Sequence, residues 1–485
     1  VTLRKPSRHL TVAALALLAI GGGLPAVAGS AVGDAGFAVR MVKLAGPADD
    51  KATVEHLKFC RKLGFNALWV YSHEAGVWTK ERAPKGPILD PAFLRLARSA
   101  RRHGMDLWVS INPVADTFGA FVFSDPDGER RLLSFATLLE KQAGVRRIVL
   151  SFDDQPTELR DLADVFRYGR STAPAHLDLV RRLAGALPGD IALWMCAAAY
   201  CDGHLGDGQG LYAKPFLAGL ASLPPAIGIV WTGPKVLSPT ITRADLEAAR
   251  ARLGGRPLFL YDNLPVGDSD ERDEMALILG GLRGRDPGIR DVVAAYLACP
   301  QRPLAGSRLS LLTTAEFLND PAGYDPDAAV ARAIAKLAGE DRGARTALET
   351  QQLEWGGPIE GRNFWPRDVM NPVAAAHRLF DPAFVESFTW TVARYPGRMA
   401  ALEHAADAPF RRDLLRIMRR RLAIAQAMPL TVDYLARVRA GRSDAGEVLA
   451  RIAGVRRFWN DDADASYVLD LFLDTAEIPM NGRPR

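Results

Sequence analysis

The chain has 485 residues, 61 of them Lys or Arg and 56 Asp or Glu, with 48% hydrophobic and 24% charged residues. That much apolar material excludes a disordered chain, and four cysteines exclude a disulfide scaffold. The net charge is only +5, with Arg4, Lys5 and Arg8 at one end, so there is no basic footprint for a nucleic-acid partner.

Taken in chain order, residues 4–9 (RKPSRH) make a basic region and Leu10 to Ile20 an apolar run rich in Ala and Leu. Gly21-Gly22-Gly23-Leu24-Pro25 breaks the run, and Ala26-Val27-Ala28 supplies small residues for a peptidase. The pattern predicts a signal peptide over residues 1–28, cleaved after Ala28. The alternative, an uncleaved anchor, needs a longer unbroken span than this one. The mature chain is then expected to be secreted or periplasmic, with no stable membrane span. Cys60, Cys196, Cys201 and Cys299 would meet an oxidising compartment. Cys196 and Cys201 stand near enough in sequence for a local disulfide, and the sequence leaves their state open.

From residue 37 onward, short β-branched apolar runs alternate with longer amphipathic ones. Candidate strands are Ala38–Leu44, Ala67–Tyr71, Asp106–Ile111, Arg147–Phe152, Ile191–Cys196, Ile227–Trp231, Pro257–Asp262 and Asp291–Leu297. Helical patterns lie between them at Ala52–Leu63, Pro91–His103, Arg131–Gln142, Ala175–Ala186 and Arg243–Leu253. Eight strand–helix units predict an α/β fold, a (β/α)8 TIM barrel over residues 36–323. An open doubly wound sheet would carry a Gly-rich phosphate loop after its first strand, and Ala45-Gly46-Pro47 is not one.

Beyond residue 323 strand signals almost vanish. Ala328–Ala338, Ala374–Phe380, Pro382–Ala393, Asp413–Ala427 and Ala445–Val455 have helical spacing, which predicts a helical domain over 324–485. Asp325-Pro326-Asp327 caps its first helix. Arg419-Arg420-Arg421 reads as a solvated helix face, and the helical domain either completes the pocket, with Trp355 or Trp365 reaching the barrel mouth, or binds a partner or dimerises.

A barrel enzyme assembles its site from the C-terminal ends of its strands. Here those ends read Tyr71-Ser72-His73-Glu74, Asn112, Ser151-Phe152-Asp153-Asp154, Tyr200, Trp231-Thr232-Gly233-Pro234 and Tyr261-Asp262-Asn263, with Asp268 shortly after. Asp153-Asp154 is the sharpest feature. Two adjacent carboxyls resist joint ionisation, so one becomes a proton donor near neutral pH, which suits glycosidic cleavage. The plainer reading is a helix cap beside a solvated Asp. Trp231, Tyr200, Tyr261 and Phe152 offer faces for stacking on a sugar ring, although Trp231 is equally suited to filling the barrel. Asn263 and Asp268 either bond sugar hydroxyls or shape a turn around Pro265-Val266-Gly267. His73 and Glu74 either bind substrate or form a surface pair. No HExxH, CxxC or HxxxH spacing is present, so no metal is called for, nor any nucleotide or flavin cofactor.

Three blocks resemble glycoside hydrolase family 84, the β-N-acetylglucosaminidases that include the O-GlcNAcases. They are Ser151 to Asp154, Trp231 to Val236 and Tyr261 to Asp268. Leu311 to Pro326 is also similar to the family's barrel-closing region. The resemblance implies an exported retaining enzyme acting on terminal β-linked N-acetylglucosamine in a carbohydrate or glycoconjugate, with the substrate's own acetamido oxygen forming an oxazoline. It implies Asp153 as the residue that orients the acetamido N–H and Asp154 as general acid, then base. It also implies Tyr200 as a support, Thr232 and Val236 as the acetamido pocket, Asn263 as donor to the acetamido carbonyl, and Asp268 as a sugar-hydroxyl ligand. Four positions depart from the pattern. Arg40 to Gly46 replaces the Gly-Phe-Tyr-Gly stretch, His73 stands for a sugar-binding Lys, Tyr261 for a Trp and Cys299 for an Asn. Two other readings stand beside this one: a glycan-binding protein that has lost catalysis, and a chitinase-like hydrolase, whose DxxDxDxE run Asp153-Asp154-Gln155-Pro156 does not supply.

Overall fold

The computed structural model describes residues 36–44, 51–72, 77, 88–113, 121–206, 210–264, 277–301, 304–355 and 372–479. The signal segment, His73, Glu74, Asp268 and Trp365 lie outside the described residues. Eight parallel strands close into one barrel in sequential order. They are β1 (Arg40–Lys43), β2 (Ala67–Tyr71), β3 (Asp106–Ile111), β4 (Arg147–Ser151), β5 (Ala192–Cys196), β6 (Gly228–Trp231), β7 (Leu258–Asp262) and β8 (Val293–Ala298), with β8 pairing back onto β1. The predicted strands agree with these to within two residues at every end.

The barrel carries α1 (Lys51–Lys62), α2 (Pro91–Arg102), α3 (Pro126–Leu138), α4 (Leu162–Tyr168), α5 (Thr172–Ala186), α6 (Asp202–Leu205), α7 (Gly210–Gly219), α8 (Arg243–Arg252) and α9 (Arg308–Asn319). Helices α10 (Pro326–Ala338), α11 (Arg342–Trp355), α12 (Pro372–His377), α13 (Pro382–Val392), α14 (Tyr395–Leu402), α15 (Ala408–Arg439), α16 (Ala445–Phe458) and α17 (Ala463–Thr475) follow. Several starts read Asp-Pro in the sequence, and the reason is local. At Asp90, Asp125, Asp325 and Asp381 the carboxylate accepts a free N–H of the first turn, while the proline supplies a helical φ where no N–H is needed.

Alternate residues of each strand face opposite ways, so the barrel has two apolar layers. Val42, Val70, Val109, Leu150, Met195, Ile229 and Leu260 face the helices. Met41, Trp69, Trp108, Val149, Trp194, Val230, Phe259 and Leu297 fill the interior. That interior is unusually aromatic. Trp69 and Trp108 stack on Phe259 at 5.2 and 5.6 Å, and Trp108 leans on Trp194 at 5.4 Å. Gly228 makes this possible, since a Cβ there would lie 2.1 Å from the Trp194 ring.

A second apolar cluster joins α10 to α17 with one face of α9 and the β7–β8 connection. Arg308 stitches the two clusters together. Buried, it ion-pairs with Asp407 at the head of α15, and its guanidinium lies 4.4 Å over the Phe59 ring of α1. Two expectations fail in this region. Only Arg419 of the arginine run is solvated; Arg420 and Arg421 are buried, and Arg421 stacks at 4.1 Å on Trp355. Trp355 is itself 5% exposed inside the helical cluster and does not open onto the barrel mouth. The physical reason is that α15 is central, packed by α13, α14, α16 and α17, so no face of its middle is free. That helix also runs on past Ala427 through Pro429, where the missing backbone N–H is tolerated because Met428 and Thr431 are buried on either side. Among the described residues no helix is long and apolar enough to cross a membrane.

Candidate active site

Beyond Ser151 the chain must leave the sheet, and it does so sharply. Asp154 has φ +56, a left-handed conformation that Asp tolerates better than most residues. The turn separates the two carboxyls by depth. Asp154 is exposed, whereas Asp153 is half-buried with Oδ1 sealed from solvent. Beneath them Ser110 and Ser151 share a hydrogen bond of 2.5 Å that ties β3 to β4.

Each carboxyl has its own phenol. Tyr71 donates to Asp153 Oδ2 at 3.0 Å from the end of β2. Tyr200 donates to Asp154 Oδ1 at 2.8 Å from the segment after β5. Asp153 Oδ1 has no hydrogen-bond partner among the described residues, a position that a buried acceptor rarely occupies without purpose. Burial pushes the Asp153 pKa up, the Asp154 charge adds to it, and the Tyr71 hydrogen bond opposes both. Tyr200 is held as a neutral phenol, first by burial and then by Asp154. His204 on α6 packs edge-on against Tyr200 at 4.6 Å, and burial lowers its pKa against the opposing pull of Asp154. Cys196, at the end of β5, is kept a thiol by burial and by both carboxylates. All four cysteines are free, so Cys196 and Cys201 are not bridged.

The opposite wall comes from β6 and β7. Gly233, at φ +99, turns the chain after β6, and a Cβ there would meet Ser238 and Ile241. Thr232 is buried, and its hydroxyl donates to the Lys235 carbonyl at 2.9 Å, so it braces this turn. Val236 packs on the barrel-interior cluster. Asn263 donates from Nδ2 to the Val236 carbonyl at 2.9 Å. An amide nitrogen carries two hydrogens, so one remains for a ligand. Tyr261 faces inward, edge-on to Trp69, with its hydroxyl 3.6 Å from Cys299 Sγ.

Two of the sugar-stacking candidates are elsewhere. Trp231 is fully buried with the residues that face the helical layer, and Phe152 stacks on His176 at 3.9 Å in that same layer. Neither reaches the mouth, because strand parity points them outward. The same parity brings in Tyr71 as the partner of Asp153, a role the sequence reading missed. Lys43, inward at the end of β1, lies with its ammonium 5.0 Å from the Tyr71 ring. Arg40 instead caps carbonyls of Phe37 and Gly64 at the far end of β1. Among the described residues no cluster of His, Cys, Asp and Glu could hold a metal.

A closed parallel barrel with paired carboxyls on the turn after β4 defines a glycoside hydrolase site. The sequence model of the β-N-acetylglucosaminidase family, NAGidase, matches residues 88–351. The chain belongs to that family, glycoside hydrolase family 84, and is a glycoside hydrolase acting on N-acetylglucosamine. This sets aside the chitinase-like reading. The matched stretch begins after β2, so it leaves out the two strands where Arg40 to Gly46 and His73 depart from the pattern. Among solved structures, an O-GlcNAc hydrolase mutant of Thermobaculum terrenum superposes with a TM-score of 0.62 at 20% identity, over 91% of this chain and 94% of that one. The protein CpGH84B superposes with a TM-score of 0.59 at 16% identity, over 91% of this chain and 77% of that one. Both likenesses are likenesses of fold.

Proposed function

We propose that the protein is an exported, retaining β-N-acetylglucosaminidase that removes terminal β-linked N-acetylglucosamine through an oxazoline. The observation that carries this reading is the unpaired, buried Oδ1 of Asp153 beside an exposed, phenol-held Asp154. A buried acceptor at that place suits the acetamido N–H. Accepting from it makes the acetamido oxygen a better nucleophile and aims it at the anomeric carbon. As the C1–O bond to that oxygen forms, the glycosidic C–O bond breaks, and its electron pair takes the proton of Asp154. The spare N–H of Asn263 bonds the acetamido oxygen, and the Thr232-braced turn with Val236 fits the methyl end. In the second half Asp154 takes a proton from water as water attacks C1, the C1–O bond of the oxazoline breaks, and the acetamide is restored. Asp268 serves as a ligand for the sugar hydroxyls, His73 as a contact after β2, and Tyr261 as an aromatic wall. Residues 4–28 support export to a secreted or periplasmic location.

The test is hydrolysis of aryl 2-acetamido-2-deoxy-β-glucosides by the chain from Gly29, with a thiazoline mimic of the oxazoline as inhibitor. Asp154→Ala should nearly abolish cleavage of a poor leaving group while sparing an activated aryl glycoside. Asp153→Ala should impair both. Small, equal losses in the two variants, or turnover insensitive to the thiazoline, would sink the assignment.

A further inference from the structure

Asp153 accepts most strongly from an acetamido N–H as the carboxylate, yet its surroundings oppose the charge. The groups facing it among the described residues are Tyr71 from β2, Ser151 and Asp154 from β4 and its turn, and Cys196 and Tyr200 from β5 and the segment after it. None of these is a cation. Asp154 is a second carboxyl that offers Asp153 no positive charge, and the thiol and the Tyr200 phenol are both held neutral. The Tyr71 hydroxyl, at 3.0 Å, is the strongest group that favours the carboxylate.

Behind that phenol stands a cation. Lys43 is 3% exposed, occupies the inward-facing last position of β1, and holds its ammonium 5.0 Å from the Tyr71 ring centroid. A cation over a phenol ring draws electron density from it, which makes the hydroxyl a stronger donor. A stronger donor favours the ionised form of its acceptor. β1 and β2 pair in register here, with Lys43 opposite Trp69, so the ammonium and the Tyr71 ring are set by the barrel itself and not by a loop.

We infer that Lys43 and Tyr71 are positioning residues that act together on Asp153. Lys43 polarises and fixes the phenol, and the phenol holds Oδ2 toward β2 so that Oδ1 remains for the substrate. Neither residue touches the reacting atoms. The inference rests on the reading of Asp153 given above.

The experiment is a carboxyl 13C NMR titration of the Asp-labelled chain, with the Asp153 resonance assigned by its loss in Asp153→Asn. Lys43→Met and Tyr71→Phe should each move the Asp153 midpoint up by about one pH unit, a tenfold change in proton affinity. Lys43→Arg should hold the midpoint near that of the wild type. The acid limb of the kcat/KM profile should move up with the midpoint in the Met and Phe variants and stay in place in the Arg variant. Should Lys43→Met fail to fold, Tyr71→Phe, which removes one oxygen and keeps the ring, decides the matter. Midpoints unmoved in the folded variants would overturn the inference. The titration needs no turnover, so the two readings can fail separately. Hydrolysis that survives Asp153→Asn would remove the catalytic reading while shifted midpoints still supported the coupling.

Discussion

Asp262→Asn removes one charge from a fully enclosed ion pair of the barrel. Arg285 reaches Asp262 through two bonds, Nε to Oδ2 at 2.7 Å and the second at 2.8 Å, and the two side chains are 2% and 3% exposed. The Tyr296 hydroxyl also donates to this carboxylate, and Arg285 holds the carbonyls of Pro239 and Arg283 at 3.0 Å each. Breaking a buried pair from one side leaves an uncompensated cation, which costs about 3–5 kcal/mol. Domains are stable by only about 5–15 kcal/mol, so the loss is large. It also reaches the site. Asp262 precedes Asn263, and Arg285 steadies the segment that follows the β6 turn. Urea unfolding followed by near-UV circular dichroism should show the barrel transition displaced by that amount. The folded fraction should lose about tenfold in kcat/KM, or ~1.4 kcal/mol of transition-state binding. Replacing both partners, as Asp262→Leu with Arg285→Met, should recover most of the stability. A loss below about 1 kcal/mol, the value of an exposed pair, would refute the view that this pair is sealed.

Three further outcomes are expected. Asp153→Asn should raise the melting temperature at neutral pH while removing activity. The folded-state pKa of Asp153 lies above its unfolded value, so its ionisation costs stability as pH rises through that window, and the advantage of Asn should disappear in acid; an equal melting temperature across the whole pH range would contradict the burial of this carboxyl. Gly228→Ala drives a methyl to 2.1 Å from the Trp194 ring, which Trp108 holds in place, so overpacking of about 1–3 kcal/mol should appear in calorimetry; an unchanged melting temperature would mean that Trp194 has another place to go. Asn263→Ala deprives the Val236 carbonyl of its donor and removes the second N–H, and should lower kcat/KM about a hundredfold, or ~2.7 kcal/mol; a loss under about threefold, ~0.7 kcal/mol, would show that no acetamido oxygen binds there.

Much of the barrel was legible because fully buried parallel strands read as short β-branched runs, and Asp-Pro pairs mark where several helices begin. The helical half was less so. The burial of Arg420 and Arg421 depends on helices far along the chain, and a window around residue 420 contains nothing of them. The same holds for the continuation of α15 through Pro429. A local reading stops at the proline, whereas the packing of both flanking turns carries the helix across it.

The errors at the site have a different origin, and they were avoidable. Reading the last residue of each strand as a mouth residue ignores which way it points. Counting by two from the interior does not. Met41 leads to Lys43, Trp69 to Tyr71, Val149 to Ser151, Trp194 to Cys196, Phe259 to Tyr261 and Leu297 to Cys299, and every one of these residues but Lys43 and Ser151 sits in the interior cluster. The two exceptions contact that line of residues through the Tyr71 ring and the Ser110 hydroxyl. Along β6 the same count stops at Val230 and turns Trp231 outward, and Phe152 follows Leu150 onto the helical layer. Parity therefore exchanges Trp231 and Phe152 for Lys43 and Tyr71. The side chains set against the carboxyl pair are then two phenols, Tyr71 and Tyr200, and the Cys196 thiol, with Lys43 behind Tyr71, so the site is tuned through hydrogen bonds to its carboxylates and not through a stacked indole.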